Sequence, residues 1–430
     1  MKNAFLTFTG LILYRLSLDL AYPVISGLYA YTGLKITDDA MHPFISWGFF
    51  LCSLPPALFL LQKTSLLSIM TGVLYLIGFV PTTSLFMYMD PDPFFVISYL
   101  LYWTFFLVFA CFFAGVRNTC SGTGRDHSRF FYCSVLFLST VVIYISWKYR
   151  GLSFHFNLDD VYILRRDSSL DDVNILFKYI LGWANKLLPV VTVYFLWKKQ
   201  WKWFAGMLAV VMLNFAISGH KSIFFGVLLG IVICLFYRNW MWSLFPLMLS
   251  FLNFTGILLC ESLGHIHFIS YLTRRVMFVP ALLNYCYYDH FSTHVPDYMS
   301  SGILGKIFNI ESQYPDGIPR FIGLAYWNKK LMAANNGLFS DAYANFGLIG
   351  CVIMPFFLIV AICFLQYCCR NLPPRVYFSF IVVFGMSVIS SFLSTIILTH
   401  GLVIAYIFCY LMPSGNNLNT VSPGQNELTS

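Results

Sequence analysis

ANFGLIGCVIMPFFLIVAICFLQYC, residues 344–368, holds no charged side chain over a length that crosses a bilayer. A spanning helix needs about 20 mostly apolar residues. Working outward from this stretch, the same pattern recurs at 5–31, 44–62, 66–88, 94–116, 129–147, 176–197, 203–218, 222–236, 240–260, 375–392 and 395–412. With the opening stretch these make twelve candidate spans. The seventh and eighth are short and the last two share almost no linker, so 11–13 is the expected range. The composition agrees: 59% of the 430 residues are apolar, 19% aromatic and 10% charged. A water-soluble domain carries about 25% charged residues. A soluble enzyme, a collagen-like fibre, a disordered chain and a secreted disulfide scaffold are excluded together. The expected fold class is an all-α polytopic membrane protein.

The formal charge of +8 is dispersed, with basic residues in short segments between apolar runs. That pattern sets membrane orientation and does not build a nucleic-acid groove, so no nucleic-acid partner is expected. Most of the 12 cysteines, including Cys52, Cys111, Cys234, Cys351 and Cys409, fall inside apolar stretches. There they act as small hydrophobes. Arg15 and Asp19 interrupt the first apolar stretch, which also lacks a small-residue cleavage site, so a cleavable signal is not expected. The two are four residues apart on one helical face, where mutual neutralisation is expected.

Orientation follows from Lys and Arg in short loops. With the N-terminus in the cytoplasm, that side holds Lys2, Lys63, Arg117, Arg125, Arg129, Lys198, Lys199, Lys202, Arg238, Arg370 and Arg375, and the short outer loops hold only Lys35 and Lys221. Both termini are then cytoplasmic. Residues 1–412 form one membrane domain, with two long outer loops at about 148–175 and 261–343, and 413–430 is expected to be a disordered tail.

The first outer loop, KYRGLSFHFNLDDVYILRRDSSLDDVNILF, sets Arg165 and Arg166 among Asp159, Asp160, Asp171 and Asp172. A solvated helix with internal ion pairs explains this pattern, and so does a guanidinium turned toward a phosphate. The second begins ESLGHIHFISYLTRRVMFVPALLNYC, with Arg274 and Arg275 in an apolar context. Adjacent cations there either snorkel to the interface or meet an anionic ligand. Between the seventh and eighth spans, SGHKS places His220 and Lys221 at two helix ends. It is a plain turn or a cationic depression at the bilayer surface. Asp90-Pro-Asp92 has the D-x-D spacing of divalent-metal sites, yet Asp and Pro are also ordinary turn residues. His265 and His267 lack a matching third ligand motif. Tyr285, Tyr287, Tyr288, Tyr314, Tyr326 and Trp327 suit sugar stacking and an interfacial belt equally.

Residues 335–350, NNGLFSDAYANFGLIG, follow the second outer loop and run straight into the tenth span. Together with the RR pair of that loop, SGHKS and DVYILRR (160–166), this block resembles bacterial O-antigen and other oligosaccharide repeat-unit polymerases (Wzy-type). These stand with the O-antigen ligases in a broader group. The resemblance implies a helical bundle of the lipid-donor glycosyltransferase kind (GT-C type), with a large helical outer loop over a cavity. It implies transfer of a growing glycan from undecaprenyl diphosphate to a new lipid-linked repeat unit at the periplasmic face of the bacterial inner membrane. No metal or other cofactor is implied. The implied partners are the lipid-linked donor and acceptor, membrane lipid and a chain-length regulator protein. Carried onto this chain, the catalytic set is Arg274, Arg275, Lys221 and Asp341, and the substrate-binding set is Arg165, Arg166, His220, Asn336 and Tyr162. Where the ligases place a His, this chain has Asn336, which can orient a hydroxyl but cannot deprotonate it. Asp341 is the nearest ionisable substitute.

Three alternatives keep the topology. A ligase would share the cationic hairpin. A metal-dependent lipid-donor glycosyltransferase would use Asp90 and Asp92. A lipid-linked oligosaccharide flippase or other transporter would show polar or broken helices at the bilayer midplane.

Overall fold

The computed structural model describes residues 2–37, 40–115, 128–150, 173–219, 221–330 and 332–413. Tyr162, Arg165, Arg166, His220 and the tail 414–430 lie outside the described residues, as does the side chain of Lys221. Among the described residues every regular element is helical. Nine helices among the described residues are long and apolar enough to span a membrane. They are α1 (Lys2–Tyr29), α2 (His42–Leu61), α3 (Leu66–Tyr88), α4 (Pro93–Gly115), α5 (Ser128–Arg150), α6 (Ile175–Trp197), α7 (Trp201–Ser218), α9 (Asn239–Leu263) and α13 (Phe339–Cys368). Between and after them stand α8 (Lys221–Phe236), α10 (266–293), α11 (Ile303–Phe308), α12 (Ile318–Trp327), α14 (Pro374–Ser390), α15 (Leu393–Leu398) and α16 (Leu402–Leu411). The chain is a polytopic helical membrane protein.

The stretches expected as the eighth, eleventh and twelfth spans are shorter helices. The twelfth is in two pieces, α15 and α16, separated by Thr399-His400-Gly401. Gly401 sits at φ 76°, and the ring of Trp183 fills the space a side chain would need. The Trp183 indole donates to Leu398 O at 3.1 Å, which satisfies a carbonyl the break leaves free.

The start of the segment expected as a helical second outer loop packs into the bundle. Residues 266–293 are one continuous helix, α10, packed on α1, α3, α9 and α13. The reason is its apolar side: Ile269, Met277, Phe278, Ala281, Leu282 and Tyr287 are all buried, and adjacent arginines do not prevent that face from packing. Thr273 donates to Asn253 of α9 at 2.9 Å, and Asn253 donates to Ser17 of α1 at 3.0 Å. Such interhelical bonds contribute about 0.6 kcal/mol each in a membrane bundle.

Among the described residues two helices carry π-helical segments, Tyr75–Phe79 in α3 and Ser270–Phe278 in α10. The Tyr14 hydroxyl links them, donating to Leu76 O at 2.9 Å and lying 3.5 Å from Met277 Sδ. The π-helix is rare and marks functional segments disproportionately. Here the second one contains Arg274 and Arg275.

Within α1, Arg15 and Asp19 form the expected ion pair, fully inside the bundle. Arg15 also donates to Ser46 Oγ and to Thr83 O (3.2 Å), and Asp19 accepts from Trp47 Nε1 (3.1 Å) and Ser84 Oγ (2.5 Å). A charge pair is tolerable at such depth because most of its remaining donors and acceptors are satisfied, Arg15 Nε being the exception.

Candidate functional site

α6, α8, α9, α10 and α14 enclose a cavity of about 980 Å3, walled mainly by apolar side chains. Its polar groups arrive from separate places in the chain. Asn185 and Lys186 come from the middle of α6, Ser222 from the first turn of α8, and Asn335 from the stretch before α13. Ser390, Ser391, Thr399 and His400 come from the breaks flanking α15. Non-helical backbone inside a bundle is tolerated where it lines a cavity, because water or a ligand can satisfy its polar groups. His400 Nε2 is 3.0 Å from Ser391 Oγ, so the two breaks are tied to each other. Lys186 lies some eleven residues into α6, about 16 Å along the axis at 1.5 Å per residue. Among the described residues no carboxylate lies within 4 Å of it.

Three of the four quoted sequence blocks meet at this cavity. SGHKS contributes Ser222 directly, and Lys221 opens α8 beside it. The RR segment contributes Tyr271, Leu272 and Val276, which bracket Arg274 and Arg275. The 335–350 block contributes Asn335. The fourth, DVYILRR, lies outside the described residues.

The arginines have different surroundings. Arg274 is half-buried, its guanidinium 4.1 Å from the ring centre of Tyr29 and its Nε donating to Ser270 Oγ at 3.3 Å. Arg275 is exposed, four residues after the cavity-lining Tyr271.

Asn336 faces away from the cavity that its neighbour lines. It is buried, and its amide lies within donating distance of Asn284 Oδ1 (2.9 Å), Ser340 Oγ (2.8 Å) and Pro280 O (3.1 Å). Gly337 then donates to Ile389 O at 2.8 Å, so close to α14 that a Cβ would collide with the carbonyls of Val388 and Ser391. This contact presses Asn335 against the break after α14. Asp341 is buried in the first turn of α13, with both oxygens occupied. Oδ1 accepts from Asn345 Nδ2 at 2.8 Å and Oδ2 from the Leu393 amide at 2.6 Å, so it anchors the start of α15. It does not line the 980 Å3 cavity. Six residues on, Gly347 kinks α13 at φ 56°. The carbonyls freed there are taken by the amides of Asp297 (to Ala344 O, 2.9 Å) and Tyr298 (to Asn345 O, 3.1 Å).

The D-x-D pair is divided. Asp92 caps α4 by accepting from the Phe94 amide at 3.0 Å, and its other oxygen accepts from the Tyr288 hydroxyl. These two bonds hold its carboxyl below the usual range, the Tyr288 bond most. Asp90 Oδ1 faces His42 Nε2 at 3.6 Å. Among the described residues no three His, Cys, Asp or Glu side chains gather into a metal-binding group.

Sequence reasoning missed Lys186, Asn335 and His400. Lys186 did carry a signal, since an ionisable residue inside a span is a functional candidate by default. His400-Gly401 inside the twelfth apolar stretch likewise marked a break. Nothing in the sequence distinguishes Asn335 from Asn336, because which one faces the cavity depends on how Gly337 docks. Compared with protein-family models, curated proteins and solved structures, the chain matches none.

Proposed function

We propose that this protein polymerises undecaprenyl-diphosphate-linked oligosaccharide repeat units at the outer face of the bacterial inner membrane, without a metal. The bundle is then of the lipid-donor glycosyltransferase type, with twelve spans and both termini cytoplasmic. One observation carries the reading: Ser222 of SGHKS, Tyr271, Leu272 and Val276 around the two arginines (neither of which lines it), and Asn335 of the 335–350 block, remote in sequence, line one cavity that also holds Lys186. Its volume, about 980 Å3, and its largely apolar walls suit a ligand with a polyprenyl tail and a polar head.

The chemistry assigns roles to the chain's own groups. A hydroxyl of the incoming unit attacks the anomeric carbon of the growing chain. The new C–O bond forms as the bond from that carbon to the diphosphate oxygen breaks, and undecaprenyl diphosphate leaves with the added negative charge. Lys186, which lines the cavity, is the cation assigned to stabilise it; one well-placed donor contributes about 3–4 kcal/mol in a water-poor site. The proton of the attacking hydroxyl goes to the His400 imidazole. Asn185 and Asn335 orient sugar hydroxyls. Asp341 and Asn336 act as positioning residues, one holding α15 and the other holding the stretch that presents Asn335. A chain-length regulator would meet the outer face.

The breaks around α15 favour a second reading, a lipid-linked oligosaccharide transporter, because discontinuous helices around a polar cavity are a transporter feature. A strain lacking the gene separates the two when surface glycan and lipid-linked intermediates are resolved by size. Single repeat units on the outer face support the polymerase, and single units trapped on the cytoplasmic face support the transporter. Unchanged long chains would overturn both.

A further inference from the structure

A second cavity, of about 420 Å3, opens toward the C-terminal end of α10. Four aromatic rings line it, those of Tyr31, Tyr285, Tyr326 and Trp327, together with Lys35 and Asp90. None of these residues lines the larger cavity. Three of the rings are held in place. The Trp327 indole donates to Thr32 O at 3.1 Å, the Tyr326 hydroxyl donates to Asp289 Oδ2 at 2.5 Å, and Tyr285 packs edge-on against Phe95 at 5.4 Å. The structure thereby divides the six aromatics of the outer segment. Tyr287, Tyr288 and Tyr314 are buried, with their hydroxyls bonded to Ala334 O, Asp92 and His290, and their rings do not line this cleft.

We propose that this cleft is a saccharide-binding site, separate from the site of bond formation. Pinned rings offer apolar faces to the C–H face of a pyranose at little entropic cost, since their rotamers are already fixed. A carboxylate acceptor and an ammonium donor, both exposed, stand ready for the sugar hydroxyls. Lys35 is balanced by Asp90, so the cleft fits a neutral glycan better than a diphosphate. Resting on the polymerase reading, its occupant is the oligosaccharide part of a lipid-linked chain, held while its diphosphate end occupies the larger cavity. Such a hold keeps a growing chain on the protein between additions and lengthens the product.

The test uses the full chain in nanodiscs and calorimetric titration with the oligosaccharide that mild acid releases from the producing strain's own surface glycan. The wild type and Tyr285→Phe are expected to bind saturably. Tyr285→Ala and Trp327→Leu are expected to weaken binding at least tenfold with unchanged thermal midpoints, and to shorten surface chains in cells. Lys186→Met is expected to bind like the wild type. No saturable binding, or equal affinity in Tyr285→Ala, Trp327→Leu and wild type, overturns the site and leaves the rings as an interfacial belt. If the wild type binds and Tyr285→Ala does not, while the gene-deletion strain still makes long chains, the saccharide site stands and the polymerase reading falls.

Discussion

Lys186, in the middle of α6, and His400, in the break between α15 and α16, line the same cavity although 214 positions separate them in the chain (400 − 186). One is a lysine with no carboxylate within 4 Å among the described residues, and the other an imidazole whose Nε2 lies 3.0 Å from Ser391 Oγ. An anion and a hydroxyl are the ligands that such a pair serves.

Lys186→Met removes that cation while preserving most of its volume. Surface-glycan elongation is expected to fall by about 100- to 1000-fold, the scale for losing one preorganised charge-stabilising donor. Protein level should hold or rise, because an uncompensated cation within a bundle is costly. Lys186→Arg should recover part of the rate. Quantitative gels of chain length beside immunoblots of the membrane fraction decide it, and full elongation in Lys186→Met would remove the residue from the site.

Asp341→Asn keeps an acceptor for the Leu393 amide and is expected to retain at least about a tenth of wild-type elongation. Asp341→Ala leaves that buried amide unpaired, a cost of about 1–3 kcal/mol, and should lower the thermal midpoint. A carboxylate that acted on substrate would give the opposite pattern, with Asp341→Asn inactive at normal protein level.

Arg15→Leu leaves the Asp19 carboxylate buried without its partner, which costs about 3–5 kcal/mol, and membrane-inserted protein should drop sharply. Arg15→Leu combined with Asp19→Leu should restore most of it, because replacing a buried pair by apolar side chains is often neutral. Inserted protein is read by fluorescence size-exclusion. A double variant no better than the single one contradicts the pairing.

His290 sits in an aromatic cluster with Tyr314, Phe321 and Phe291, its Nε2 2.9 Å from the Tyr314 hydroxyl, with His294 stacked on it and Asp289 adjacent. Burial, with His294 adding to it, pushes the imidazole down to about 4 from 6.5. The unfolded chain therefore binds more protons than the folded one between those values. The resulting stability is complete above about pH 6.5 and is lost as pH falls toward about 4. Melting curves across that range should show the decline for the wild type, and a flatter profile for His290→Phe.

The membrane class was legible because apolar runs as long as 344–368 have no soluble alternative. α10 was not, since Arg274 and Arg275 mark its sequence as surface while Ile269, Thr273, Met277 and Phe278 bury the other side. A loop and a packed helix that carries two arginines, one of them half-buried against Tyr29, have similar local composition. The blocks around SGHKS and 335–350 each supply one residue to the cavity, Ser222 and Asn335. Asn336 and Asp341 are buried and Asn335 lines the cavity, with Gly337 docked on the Ile389 carbonyl and Asp341 bonded to the Leu393 amide, long-range contacts that spacing does not encode. Lys186 escaped notice because cations were weighed in loops, where they set orientation, and a lone cation within a span has a different meaning.

The central claim is that the Lys186 cavity joins lipid-linked glycans. Its most direct test is elongation by the purified protein in liposomes supplied with isolated undecaprenyl-diphosphate-linked repeat units, in the presence of chelator. The account predicts a ladder of linked repeats for the wild type and single units for Lys186→Met. Single units throughout for a folded wild-type protein, or an undiminished ladder from Lys186→Met, would contradict it.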